Sequence, residues 1–167
     1  MWLPRALNNV RTLKTLLNTA ESIARADGQE LPGTEHLVLS ALALPDATAE
    51  RALQQIGIST GDLTSAVEAV HRAALDGIGL THEPAAVPSA GAPKGLYRMT
   101  PPAQQVFQDA VALSKTAAPK LLLGGHVLVA AARQEHGTWA RAVKRLGIDR
   151  DRLAAAAQAE LSAYRPG

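Results

Sequence analysis

An all-α fold of two four-helix repeats, eight helices in all, is what this sequence predicts, and three observations predict it. The first is an internal duplication. Thr48-Ala49-Glu50-Arg51-Ala52-Leu53-Gln54-Gln55-Ile56-Gly57-Ile58 returns as Thr138-Trp139-Ala140-Arg141-Ala142-Val143-Lys144-Arg145-Leu146-Gly147-Ile148. The offset of 90 residues holds without a gap from His36/His126 through Leu63/Leu153, with apolar positions facing apolar positions almost throughout. One helical unit used twice predicts an approximate two-fold relation in the fold and in any binding surface. The second is composition: of 167 residues, 47% are apolar and 19% charged, with only two Trp, two Tyr and one Phe. A chain dominated by Ala and Leu favours closely packed helices over a sheet, which draws on β-branched and aromatic residues. The third is helical periodicity, taken here element by element.

The first helix carries Val10, Leu13, Leu16, Leu17, Ala20, Ile23 and Ala24 on one stripe. Asp27-Gly28 ends it, glycine supplying the left-handed conformation that closes many helices. Leu31-Pro32-Gly33 leads to Thr34, which is expected to cap a second helix bearing His36, Leu37, Leu39 and Leu42, broken by Pro45-Asp46. A third, short helix runs from about Ala47 to Ile56 and is closed by Gly57. Ser59, with Asp62 three residues on, forms a capping box for a fourth helix carrying Leu63, Ala66, Val67 and Val70. Residues 76–98 change character: Asp76-Gly77-Ile78-Gly79, then Pro84, Pro88, Gly91, Pro93 and Gly95, read as a mobile linker.

The second half repeats the order. Thr100 caps a helix with Pro101 at its first position, where the missing N–H costs nothing. Ala103, Val106, Phe107, Ala110 and Val111 make its stripe, and Pro119 marks its end. Gly124-Gly125 precedes a helix from His126 to about Glu135; Gly137 and Gly147 bound the next; Asp149 caps the last, Arg150 to about Ala163. Residues 1–167 are thus read as one domain: repeat one at about 8–75, the linker at 76–98, repeat two at about 99–163. Each half is about 65 residues, where a single core is marginal, so the two halves are expected to pack face to face.

Composition also excludes function classes. Without cysteine there is no disulfide and no thiolate metal site. A net charge of +2 is mildly basic, and the basic residues are dispersed, densest at Lys144-Arg145 and Arg150-Asp151-Arg152. Such scatter reads as a solvated helix surface rather than a phosphate-binding face. No apolar run approaches the roughly 20 residues needed to span a bilayer. Met1-Trp2-Leu3-Pro4-Arg5 leads into a polar, periodic segment rather than a signal peptide, so a soluble cytoplasmic protein is expected. His36 and His126 stand at equivalent helix starts and read as packing histidines, each ring bonded to a neighbouring backbone group. His71, His82 and His136 have no ligand-type partner at helical spacing, so neither zinc nor another cofactor is expected. No serine, histidine and acid stand at a nucleophile elbow, and no catalytic residue is assigned. Trp139 and Phe107 read as core or inter-repeat packing.

Gly33-Thr34-Glu35-His36-Leu37-Val38-Leu39 resembles the Gly-Thr-Glu-His-Leu-Leu-Leu signature of the Clp amino-terminal (Clp repeat) domain. Ile56-Gly57-Ile58 and Leu146-Gly147-Ile148 resemble its Leu-Gly-hydrophobic closures, and Met99-Thr100-Pro101 its Phe-Thr-Pro-Arg-Ala opening of the second unit. The resemblance covers about residues 8–163. It implies two four-helix repeats about a pseudo-two-fold axis, in a domain that stands before the ATPase modules of Clp unfoldases and receives substrates and adaptor proteins. In some Clp C-related members it also implies binding of phosphorylated arginine, and in actinobacterial members of cyclic peptide antibiotics. No Walker motif accompanies it here, since Gly91-Ala92-Pro93-Lys94-Gly95 has neither the spacing nor a following helix. A stand-alone protein and a domain excised from a longer chain are both compatible with this sequence.

In phosphoarginine-binding members the Glu of the signature and the Thr opening each repeat's first helix help form the pocket. A carboxylate there pairs with guanidinium, while hydroxyl and backbone N–H groups take the phosphate. Here Thr34 and Glu35 match in repeat one, but Val10 stands at the opening Thr; in repeat two Thr100 matches, but Gly125 stands at the Glu. Thr34 as a cap and Glu35 as a first-turn carboxylate also make sense without a ligand. Where members carry aromatic groups for peptides and adaptors, this chain has Asn9 and Met99, an adaptable apolar side chain. The resemblance thus assigns ligand or peptide binding to Thr34, Glu35, Met99 and Thr100. The function expected is a non-enzymatic module that binds substrates or adaptors and modulates a Clp protease. One alternative is a decoy sequestering cyclic peptide antibiotics aimed at the unfoldase. Another is a DNA-binding helical regulator, since short helices joined by glycine turns imitate a helix-turn-helix. Dispersed charge counts against that last, so the partners expected are proteins or peptides, not nucleic acid or membrane.

Overall fold

The computed structural model describes residues 3–77 and 98–166, with side chains from residue 8 onward. Among the described residues there are eight α-helices and no strand: α1 (Leu3–Ala26), α2 (Thr34–Leu42), α3 (Thr48–Gln55), α4 (Thr60–Gly77), α5 (Pro101–Thr116), α6 (Gly124–Ala132), α7 (Thr138–Arg145) and α8 (Arg150–Ala163). Local chemistry ends the helices in matched pairs. Gly57 and Gly147 take φ of +77° and +69°. Beyond them Ile58 N–H donates to Leu53 O at 3.0 Å and Ile148 N–H to Val143 O at 3.1 Å. That is a Schellman closure repeated in both halves, and only a residue free to adopt positive φ closes it without strain. At the start of α4, Ser59 N–H donates to Asp62 Oδ2 and Asp62 N–H to Ser59 Oγ, both at 3.0 Å, completing the capping box.

Four boundaries differ from the sequence reading. The N-cap of α2 is Gly33, and Thr34 is already helical. The ring of His36 accepts from the Gly33 N–H at 2.9 Å and does the capping. Helix α4 runs through Asp76 and Gly77, so the linker begins later than residue 76. A glycine at a helix's last position costs little. Helix α6 begins at Gly124 rather than His126 and ends at Ala132. Val10 is 52% exposed and lies off the buried stripe of α1, which begins at Leu3. The rest of the assigned linker, residues 78–97, together with Trp2 and His82, lies outside the described residues.

One core serves both repeats: Leu16, Leu37 and Leu53 are buried in the same cluster as Val106, Val127, Leu128 and Trp139. The fourth helices reach across the repeat boundary, α4 lying on α7 and α8 packing on both α6 of its own repeat and α3 of the first, while α2 meets α6 at the centre. A Cβ on Gly124 would stand 2.7 Å from the Ala41 carbonyl oxygen and 3.1 Å from Ala49 Cβ, so glycine sets how closely α6 approaches α2 and α3. Trp139 is fully buried and its indole N–H donates to Ala131 O at 2.9 Å, the partner a buried indole needs. Phe107 packs against the core from its edge, half-buried.

Candidate functional site

The N-termini of α2 and α6 are the equivalent places where each repeat offers free backbone N–H groups and the positive end of a helix. In both, a histidine at the third helical position reaches back: His36 Nδ1 accepts from Gly33 N–H and His126 Nδ1 from Leu123 N–H at 3.0 Å. Both rings are buried and are the packing histidines the spacing implied. Burial lowers the His126 pKa from its ordinary value, against the raising effects of the Asp46 charge and the Leu123 hydrogen bond. A ring neutral on that side is what accepting a backbone N–H requires.

Each anion-attracting end is filled by a carboxylate of the chain itself. At α6, Gly124 N–H donates to both Asp46 oxygens, at 3.1 and 3.3 Å, and Gly125 N–H to Thr48 Oγ1 at 2.8 Å. Asp46 Oδ1 also accepts from the Thr48 N–H at 2.9 Å, so one carboxylate caps α3 and α6 together. At α2 the carboxylate is Glu35, 7% exposed and folded back over Gly33. His71 Nε2 on α4 lies 3.3 Å from Glu35 Oε1, and His36 Nε2 donates to Asp27 Oδ2 at 2.9 Å. Burial opposes ionisation of Glu35, but the His71 hydrogen bond, the His36 ring and its own backbone N–H outweigh it, and its pKa is lowered. The same hydrogen bond raises the His71 pKa against burial, helped by the charges of Glu35, Asp27 and Glu68.

Spacing along the chain gave no reason to expect metal ligands, yet the fold brings Glu35, His36 and His71 together, one ligand atom from each within 4.8 Å of the others. The ring of His36 has both nitrogens engaged, accepting from Gly33 and donating to Asp27, so the cluster is organised as an ion-pair network around His71.

Of the four residues expected to bind ligand, three are buried. Thr34, 3% exposed, donates its hydroxyl to Gln134 Oε1 at 2.8 Å across the repeat boundary. Glu35 is held as described. Met99, 7% exposed, belongs to the core cluster. Thr100 is half-buried; its hydroxyl accepts from Ala103 N–H at 3.4 Å and its own N–H donates to Pro32 O at 3.0 Å. Gln134 Nε2 donates to Pro102 O, so Thr34, Gln134 and the start of α5 form one seam between the repeats. On the pseudo-symmetric side Asn9 grips the other chain segment, donating to Lys120 O and accepting from Leu122 N–H. Gly125 is not simply a lost glutamate: a Cβ there would meet Leu161 at 2.9 Å and Thr48 Oγ1 at 3.2 Å. Sequence reasoning missed Asp46, Asp27, Gln134 and the role of His71. Asp46 carried the one usable signal, an acid just before a short helix, and was read only as a breaker.

Comparison with known proteins agrees with this geometry. The family model for the Clp repeat (R) N-terminal domain matches residues 11–90 and 98–166, one match per repeat. Among solved structures, the chain is similar to the N-terminal domain of the caseinolytic protease associated chaperone ClpD from Arabidopsis thaliana. The TM-score is 0.54 at 20% identity, over 93% of this chain and 92% of that one. No curated protein matches. At that identity the structural likeness speaks for the fold. The family match covers both repeats, and the chain belongs to the Clp repeat N-terminal domain family.

Proposed function

We propose that this chain is a non-enzymatic protein-binding module of the Clp N-domain type, which takes up substrates or adaptors and thereby modulates a Clp protease. The observation that carries the reading is the match of both repeats to the family, on a fold whose two halves share one core. In this proposal Thr34 holds the seam between repeats, Glu35 is anchored beside it by His71, Met99 floors it, and Thr100 faces the ligand. The exposed Val10, at the position pseudo-equivalent to Thr100, offers an apolar contact on the other side. Phosphoarginine is not the expected ligand. Glu35, the carboxylate that would pair with its guanidinium, is already engaged by His71, and in the second repeat Gly125 stands at that position with no room for a side chain.

Affinity capture from cell lysate with the purified protein tests the main reading. Recovery of a Clp unfoldase, its adaptors or its substrates supports it; recovery of none of them overturns it. Calorimetric titration with phosphoarginine is expected to give no saturable heat at sub-millimolar ligand. A micromolar isotherm that disappears in Glu35→Ala would reverse the second conclusion.

A further inference from the structure

The duplication places one groove in two versions within the same molecule. Where α8 lies on α3, Arg51 Nε donates to Glu160 Oε2 at 3.0 Å, and Gln55 Nε2 donates to Glu160 Oε1. A carboxylate from α8 is thus held by two side chains of α3. The offset carries Arg51 to Arg141, Gln54 to Lys144, Gln55 to Arg145 and Glu160 to Val70. Helix register is kept that far, because Leu63/Leu153, Ala66/Ala156 and Val67/Ala157 are buried alike.

Where α4 lies on α7, the cations are present and, among the described residues, no carboxylate meets them. Arg141, Lys144 and Arg145 surround an apolar floor of Val70, Ala73 and Ala74, in an open groove of about 470 Å³. Among the described residues none of these three cations has a carboxylate within ion-pair distance. The acids of α4, Asp62, Glu68 and Asp76, do not line the groove. Replacing both glutamines of the first version by cations has raised the positive charge at the place where the internal anion was lost.

We infer that the α4–α7 groove binds an acidic peptide segment of a partner protein. One carboxylate takes the place Glu160 holds on the opposite side, and a neighbouring apolar side chain rests on Val70, Ala73 and Ala74. The apolar floor favours a peptide over a polyphosphate backbone, which would leave that floor uncovered. Arg150, next in the chain after these cations, is already occupied, by Glu135 and by the carbonyls of Arg133 and Gln134. This inference rests on the protein-binding reading above and names the chemistry of the partner. A groove this small and exposed implies weak, salt-sensitive binding.

The test is fluorescence anisotropy of the full chain with a short labelled peptide of alternating Glu and Leu, beside its Gln-for-Glu counterpart. The Glu peptide is expected to bind and the Gln peptide not to. Val70→Glu, which installs the missing internal carboxylate, is expected to weaken binding about tenfold or more, equivalent to about 1.4 kcal/mol. The exposed double substitution Arg141→Gln with Arg145→Gln should do the same, and it decides the matter if Val70→Glu fails to fold by circular dichroism. Absence of saturable Glu-peptide binding overturns the proposal, as does unchanged affinity in the folded variants. So does single-stranded DNA outcompeting the peptide at this groove, which would make it a polyanion site. Because the peptide reads the groove directly, a positive titration beside a failed lysate capture would sink the Clp role alone, and the converse would sink only this groove.

Discussion

Gly124→Ala sets two opposing effects against each other at one atom. Helix propensity alone favours alanine over glycine by up to about 1 kcal/mol in a helix interior, and by less in a first turn. Against it stands the added methyl, which would lie 2.7 Å from the Ala41 carbonyl oxygen and 3.1 Å from Ala49 Cβ. The first contact is with backbone at the centre of the α2–α6 packing, so no side chain can swing aside, and one helix must move. Overpacking of this kind costs about 1–3 kcal/mol. The net expectation is a loss of about 1–2 kcal/mol, which lowers Tm by about 2–8 °C for a domain of this size. Gly61→Ala is the internal control, because a Cβ there meets only Ser59 Oγ at 3.7 Å. Thermal unfolding followed by circular dichroism should show Gly124→Ala below wild type and Gly61→Ala at or slightly above it. Equal or higher Tm for Gly124→Ala would refute the assignment of that glycine to inter-repeat approach.

Three more expectations follow from the site. Asp46→Ala removes one carboxylate shared by α3 and α6 and leaves the Gly124 N–H unpaired; a loss of about 2–3 kcal/mol is expected by denaturant titration, with Asp46→Asn between it and wild type. His71→Gln tests the ion pair with Glu35 through pH. The folded His71 pKa is raised above 6.5, so its contribution is full below pH 6.5 and lost as pH rises through the raised value. The folded Glu35 pKa is lowered below 4.5, so its contribution is full above pH 4.5 and lost as pH falls through the lowered value. The Tm gap between wild type and His71→Gln should therefore be widest between pH 4.5 and 6.5, and a gap independent of pH would argue against the pair. Gly125→Glu, which restores the family's residue, is expected to lower Tm through the clash with Leu161 and to confer no phosphoarginine binding by calorimetry.

What the sequence made legible is what short range decides. Gly57 and Gly147 close their helices, and Ser59 and Asp62 cap theirs, through partners three to five residues away. The face-to-face packing was legible because neither repeat could bury its apolar stripes alone. The site was less legible, since its contacts join distant residues: Glu35 with His71, 36 apart, and Asp46 with Gly124, 78 apart. Thr34 illustrates the competition. A hydroxyl at a helix start is a sound capping signal, but the His36 ring took that role and the hydroxyl went to Gln134 across the seam. Gly125 shows the reverse error, where a missing carboxylate was read as lost chemistry although Leu161 and Thr48 occupy the space a side chain would need.

The crossing of α4 onto the second repeat and α8 onto the first has a consequence for descent. A lone four-helix unit would leave one side of its fourth helix uncovered, and a second copy offering the same side in return would cover both. Such contacts cross between the two repeats in both directions within one polypeptide, where a homodimer would make them between two copies. In a true homodimer every substitution strikes both faces at once, so a glutamate and a valine cannot occupy the same position on the two sides. Fusion lifts that constraint. Among the described residues one face closes its cations with Glu160 while the other carries Val70 at that position, so the two faces of a symmetric scaffold differ in charge.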